Sequence, residues 1–77
     1  MDLRDIFASN LRRIRNAKGM SQDDVAYEVG MSRSYLSKLE KGEFYASLKI
    51  IGRLAKTLEV EPAEFLKLPA KKAARKK

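Results

Sequence analysis

The sequence predicts an all-α domain of five helices, and three observations support this fold class. Apolar residues recur at intervals of three and four along most of the chain, which is the period of an amphipathic helix. Serine, proline and glycine occur where one helix would begin or another would end. No stretch shows the alternation of apolar and polar residues that is typical of a half-buried strand. The 77 residues suffice for one small domain.

The first three predicted helices have start and stop signals of their own. Helix 1 covers about residues 3–18 and ends before Gly19. Its apolar stripe consists of Leu3, Phe7, Leu11 and Ile14. Ser21 is the expected N-cap of helix 2, and the Asp24 carboxylate completes a capping box. Helix 2 runs to Val29. Ser32 then caps helix 3, which spans residues 33–41.

Two further helices and a tail complete the prediction. Helix 4 begins after the N-cap Ser47, and helix 5 covers about residues 62–67, with Pro62 at its first position. The expected buried face of helix 4 consists of Leu48, Ile51, Leu54, Ala55 and Leu58. We divide the chain into a folded domain, 1–68, and a basic tail, 69–77. We expect the tail to be disordered, because it contains nothing large to bury.

Positive charge is concentrated in that tail. The net charge of +7 comes from 17 basic and 10 acidic residues. Residues 1–68 carry 12 basic and 10 acidic side chains, so the domain itself is nearly neutral. The tail either raises DNA affinity at any sequence through counterion release or serves as a solubilising appendage.

The composition excludes several classes of function. The chain has no cysteine and no histidine, so disulfides, thiolate zinc sites and the most common general base are absent. We expect no enzymatic activity, and nothing in the sequence indicates a metal, a cofactor or a small-molecule ligand. No apolar run approaches the ~18 residues of a membrane span, and the N-terminus lacks a signal-peptide pattern.

Helices 2 and 3, separated by Gly-Met-Ser, form the most informative feature. Residues 22–39 read Gln-Asp-Asp-Val-Ala-Tyr-Glu-Val-Gly-Met-Ser-Arg-Ser-Tyr-Leu-Ser-Lys-Leu. Ala26 is small where the two helices would cross, and Gly30 tolerates positive φ at the turn. Val25, Leu36 and Leu39 supply the apolar contacts that hold helix 3 on helix 2. This combination is the helix-turn-helix pattern.

The chain resembles the XRE family of helix-turn-helix proteins, which includes phage repressors and Cro proteins. The resemblance spans about residues 3–68 and is strongest at 15–26 and at 37–42, Ser-Lys-Leu-Glu-Lys-Gly. The short length also resembles restriction-modification controller proteins. The resemblance implies a compact five-helix, lambda-repressor-like domain. It further implies a cytoplasmic bacterial or phage transcriptional regulator that binds double-stranded DNA as a homodimer, with helix 3 in the major groove at each half of an inverted repeat.

The resemblance also implies roles for individual residues. The expected base-reading residues on the outward face of helix 3 are Arg33, Ser34, Ser37 and Lys38. The expected phosphate-binding residues are Gln22, Tyr35, Lys41 and either Arg12 or Arg13. Arg15 and Glu40 are expected to form a mostly buried ion pair, which is structural. For Ser34, Ser37 and Lys38 the alternative is simple exposure to solvent, and for Arg33 it is a solvated or phosphate-bound side chain.

The C-terminal apolar residues Phe65, Leu66 and Leu68 have two interpretations. The resemblance places them in a dimer interface, and burial within one protomer is the alternative. Phe44 and Tyr45 can join either role. They belong to residues 43–47, Glu-Phe-Tyr-Ala-Ser, where the family usually has a basic or asparagine-rich loop. A second hypothesis for the whole chain is a protein-interaction module, such as an antitoxin half or an assembly adaptor, on the same scaffold.

Overall fold

Four α-helices and one 3₁₀ helix make up the computed structural model, which describes residues 1–68. The α-helices are α1 (Leu3–Ala17), α2 (Gln22–Val29), α3 (Arg33–Glu40) and α4 (Leu48–Leu58), and Pro62–Leu66 forms the 3₁₀ helix. The described residues contain no strand. The predicted all-α fold class is therefore confirmed. The basic tail, 69–77, lies outside the described residues.

Local hydrogen bonds start the helices at the predicted positions. The Ser21 hydroxyl accepts from the Asp24 N–H at 3.0 Å, and the Asp24 carboxylate accepts from the Ser21 N–H at 3.2 Å, so the capping box is confirmed. Ser32 and Ser47 cap α3 and α4 in the same way. Gly30 ends α2 in the left-handed conformation, with φ of 86°.

Asp2 caps α1, and the sequence analysis did not predict this cap. Its carboxylate accepts from the Arg4 N–H at 2.8 Å and from the Arg4 guanidinium at 2.8 Å. These hydrogen bonds from Arg4 hold the pKa of Asp2 below its usual value, and the same contact raises the pKa of Arg4. The pair is half-buried and lies at the start of α1.

One hydrophobic core joins all five helices. α1 packs against α3 and the 3₁₀ helix, and α2 packs against α3 and α4. The twelve buried residues of this core are Phe7, Leu11, Ile14, Val25, Ala26, Val29, Leu36, Leu39, Leu54, Ala55, Leu58 and Phe65. Among residues 1–68, the inner face of α3 packs against α1 and α2, and Arg33, Ser34 and Lys38 on the opposite face are exposed.

The prediction for one apolar residue was wrong. Leu48, predicted to be buried, is 86% exposed, and Leu3, on the apolar stripe of helix 1, is 52% exposed. Both lie in the first turn of their helices, where the helix extends past the edge of the core. The predicted helix 5 is a 3₁₀ helix, in which the Glu64 N–H donates to the Glu61 carbonyl three residues earlier.

Candidate nucleic-acid interface

The outward face of α3 forms a shallow open groove. The groove is lined by Arg33, Ser34, Ser37, Lys38 and Lys41. Four of these are the residues predicted to read bases, and the fifth was predicted to bind phosphate. The lining contains three cations, two hydroxyls and no acidic residue. We call these five residues the α3 groove.

Arg33, the arginine of this groove, contacts the neighbouring helix α2. Its Nε lies 3.6 Å from the Asp23 carboxylate at the start of α2, and both side chains are mostly exposed. An exposed pair at this distance contributes little to stability. The contact engages Nε, so the two terminal nitrogens of the guanidinium remain available to form a pair of parallel hydrogen bonds.

Three of the residues predicted to bind phosphate have partners within the chain. The Gln22 amide donates to the Glu40 carboxylate at 3.0 Å. Arg12 donates to the main-chain carbonyl of Glu40, and Arg13 donates to the Asn10 side chain at 3.0 Å. The sequence did not indicate the two contacts to Glu40, because they join residues 18 and 28 positions apart, whereas Asn10 and Arg13 are three residues apart on α1. A guanidinium has five N–H donors, so both arginines retain donors for another partner.

A buried ion pair fixes the end of α3. The Arg15 guanidinium donates to the two Glu40 carboxylate oxygens at 2.5 and 3.0 Å, and it also donates to the Met20 carbonyl at 2.9 Å. The Glu40 side chain is 3% exposed and that of Arg15 is 14% exposed. Together with the Gln22 amide, this pair connects α1, α2 and α3. These contacts therefore help to position α3 relative to α1 and α2.

Two contacts, one of Asn10 and one of Phe44, were not predicted from the sequence. Asn10 is buried, and its amide donates to the carbonyls of Phe65 and Lys67 at 2.9 Å each. A polar residue between the apolar positions of helix 1 was the available signal. Phe44 stacks on Tyr35, with ring centroids 5.8 Å apart. No turn or helix pattern in residues 43–47 indicated that contact.

Residues with a predicted dimer role differ in their placement. Phe65 is fully buried beside Phe7, so the expectation of an interface role is replaced by the alternative of burial within the protomer. Leu66 and Leu68 are exposed. Leu66 lines a second groove, which is largely apolar and which also includes Leu3, Phe7, Tyr45, Ala46, Leu48 and Ile51. We call it the apolar groove.

The helix-turn-helix family model HTH_3 matches residues 11–65, which is more than half of the chain. The chain belongs to the helix-turn-helix family. The predicted XRE-type resemblance is thereby confirmed. This family consists of DNA-binding transcription regulators and is not enzymatic. Among residues 1–68, no helix of this helix-turn-helix protein combines the length and hydrophobicity needed to cross a lipid bilayer.

Relatives support the same assignment. The protein is 36% identical over 66 residues to the control protein C.BamHI of Bacillus amyloliquefaciens, covering 84% of this chain and 82% of the relative. It is 40% identical, with a TM-score of 0.78, to the restriction-modification controller protein C.AhdI of Aeromonas hydrophila, covering 80% and 94% of the two chains. It is 31% identical, with a TM-score of 0.76, to the controller protein C.Esp1396I, covering 84% and 86%. That structure is a tetramer with its natural 35-base-pair operator.

Proposed function

We propose that this protein is a sequence-specific transcriptional regulator that binds double-stranded DNA as a homodimer at an inverted repeat, with α3 in the major groove. The observation that carries the proposal is the α3 groove, in which three cations and two hydroxyls lie on the helix face that the core leaves free. A major groove about 12 Å wide accepts one α-helix, and its base edges offer hydrogen-bond acceptors to such side chains.

The proposed DNA contacts divide into base contacts, from the α3 groove, and contacts to the DNA backbone. Arg33 donates two hydrogen bonds to O6 and N7 of a guanine, and Lys38 contacts a neighbouring base. Ser34 and Ser37 add weaker hydrogen bonds. The backbone contacts come from Lys41, Tyr35, Gln22, Arg12 and Arg13, which bind phosphates and orient the domain without selecting sequence. The operator complex of the relative C.Esp1396I supports DNA as the ligand in this proposal.

The apolar groove is the proposed dimer interface. Leu48, Tyr45 and Leu66 expose apolar surface at its rim, and Leu68 is exposed as well. Exposed apolar surface of this kind is typical of an interaction site. A second copy that covers it with the same patch forms a two-fold dimer, whose α3 helices enter half-sites about 34 Å apart.

We also propose a cytoplasmic location for the protein, because the proposed target is bacterial or phage DNA.

Selection of bound duplexes from a random pool tests the proposed function. We expect enrichment of one inverted repeat, with half-site centres about one helical turn apart. A pool that remains random after several rounds would instead favour the protein-interaction module. Analytical ultracentrifugation of the protein with the enriched duplex then gives the number of protomers bound.

Arg33→Ala is expected to abolish the preference for one base pair in each half-site. The loss of two hydrogen bonds to one base corresponds to about 1–3 kcal/mol, or roughly a 5- to 150-fold loss of discrimination. Competition binding with duplexes that vary only that base pair measures this change. Arg53→Ala is the matched control, since it removes one exposed positive charge from the groove between α2 and α4. Equal loss in both variants would contradict base contact by Arg33.

Leu48→Asp is expected to convert the dimer to monomers while the protomer stays folded. Leu48 is 86% exposed in the protomer, so the substitution leaves the core intact. In the dimer it would bury a charge in an apolar contact, which we expect to raise the dimer dissociation constant at least about tenfold. Sedimentation equilibrium measures the constant. Tyr27→Asp is the control, because Tyr27 is 85% exposed on α2 and lies outside the apolar groove. An unchanged constant for Leu48→Asp would rule out this interface.

A further inference from the structure

Phe44 contacts two residues of the DNA-facing helix at once. Its ring stacks on Tyr35, with centroids 5.8 Å apart and planes at 24°. The Lys38 ammonium lies 5.9 Å from the centroid of the same ring. Tyr35 and Lys38 are three residues apart and therefore occupy one side of α3. One aromatic ring thus contacts a residue of the α3 groove and its aromatic neighbour.

A tight turn brings Phe44 to this position. The Glu43 N–H donates to the Lys38 carbonyl at 3.0 Å, and the Gly42 N–H donates to the Leu39 carbonyl at 3.2 Å, which is a Schellman motif. Gly42 has φ of 76°, and a Cβ at this residue would lie 2.7 Å from the Asp5 carboxylate. The positive φ favours glycine here, and a Cβ would also require the Asp5 side chain to move. The chain therefore reverses at one fixed point, and the second residue after it lies against α3.

We propose that Phe44 is a positioning residue that holds Lys38 and Tyr35 in the orientation in which they meet DNA. This inference rests on the proposed function of α3. A lysine side chain has large rotamer freedom, and contact between its ammonium and an aromatic face restricts that freedom before binding. Stacking restricts the Tyr35 ring in the same way. Groups that are ordered in advance lose less entropy when they bind.

Phe44 itself has no charge and no hydrogen-bond donor, so its contribution to sequence selection passes through its neighbours. Through this residue, the loop that follows α3 contacts the helix. The consequence is specific: loss of the ring weakens selection at the base pair contacted by Lys38 and leaves selection by Arg33 intact.

Phe44→Leu tests the inference on the full chain with the duplex enriched from the random pool. We expect operator binding to weaken about three- to tenfold, as for loss of a modest contact with an ordered side chain. We expect discrimination to fall at the Lys38 base pair and to persist at the Arg33 base pair. Phe44→Tyr keeps the ring and should retain wild-type selection. Tyr27→Leu, an exposed aromatic on α2 away from the α3 groove, is the matched control.

A double-mutant cycle identifies the route of the effect. In the Lys38→Ala background, Phe44→Leu should no longer change discrimination at the Lys38 base pair. Two results for Phe44→Leu would overturn the inference. One is an equal loss of discrimination at every base pair, and the other is a loss of discrimination at the Lys38 base pair that is just as large in the Lys38→Ala background. Loss of selection in Phe44→Tyr as large as that in Phe44→Leu would also overturn it. Thermal unfolding by circular dichroism verifies that each variant is folded. Failure of the wild-type protein to select any duplex would contradict the proposed function instead.

Discussion

Arg15→Met is expected to lower the free energy of unfolding by about 3–5 kcal/mol, because it leaves a buried carboxylate without its cation. The Glu40 side chain is 3% exposed and accepts two hydrogen bonds from Arg15, at 2.5 and 3.0 Å. Among residues 1–68, the Gln22 amide alone would remain as a side-chain donor to Glu40. Methionine retains the length and apolar surface of the arginine stem, so packing changes least. Urea unfolding followed by circular dichroism, at one fixed protein concentration, measures the loss.

The double variant Arg15→Met/Glu40→Met distinguishes two contributions to the free energy of unfolding. One is the cost of leaving the Glu40 carboxylate unpaired, and the other is the net contribution of the ion pair. Apolar replacement of a whole buried pair is often neutral or stabilising, so we expect the double variant to recover most of the lost stability. Lys67→Met is a control, because it breaks an exposed contact to Glu64 and should change stability by less than about 1 kcal/mol. A double variant less stable than Arg15→Met would show that the pair itself holds the fold together.

Phe65→Ala is expected to destabilise the protomer by about 3–5 kcal/mol, the usual cost of emptying a buried aromatic site. Phe65 is fully buried, and its ring lies 5.5 Å from that of Phe7. Its carbonyl also accepts from the Asn10 amide, which ties the 3₁₀ helix to α1. A domain of this size typically has about 5–15 kcal/mol of stability, so the variant should lose a large part of it.

Leu66→Ala distinguishes a core role from an interface role. Leu66 is the next residue and is 43% exposed at the apolar groove. We expect Leu66→Ala to weaken dimerisation while protomer stability, measured at concentrations where the protein is monomeric, changes little. Phe65→Ala should reduce stability at every concentration. If Phe65→Ala left the stability of the monomer unchanged and weakened dimerisation, Phe65 would have an interface role instead of a core role.

The turn and cap signals predicted the helix boundaries because their interactions are local. Ser21 and Asp24 are three residues apart, and Gly30 adopts its conformation next to the helix that it ends. Such contacts form whatever surrounds the segment. The same local period placed Arg33, Ser34, Ser37 and Lys38 on one side of α3, and the structure brings these four together in the α3 groove.

Apolar periodicity was less informative about which leucines and phenylalanines are buried. Leu48 continues the apolar stripe of α4 yet lies beyond the edge of the core. Phe65 belongs to a five-residue 3₁₀ helix, and its side chain is fully buried in the core. An amphipathic pattern identifies the apolar face of a helix. It does not specify how far along that face the neighbouring helices extend.

The amino-acid sequence by itself determined the fold class, the starts and ends of the helices and the polar face of α3, since each depends on residues within one or two turns of each other. Only the tertiary structure decided that Asn10 bonds to Phe65, 55 residues away, that Gln22 bonds to Glu40, and that Phe44 lies against α3. The physical reason is that such contacts depend on where separate helices meet. Each of these side chains has several possible partners until packing leaves one within hydrogen-bonding or van der Waals distance.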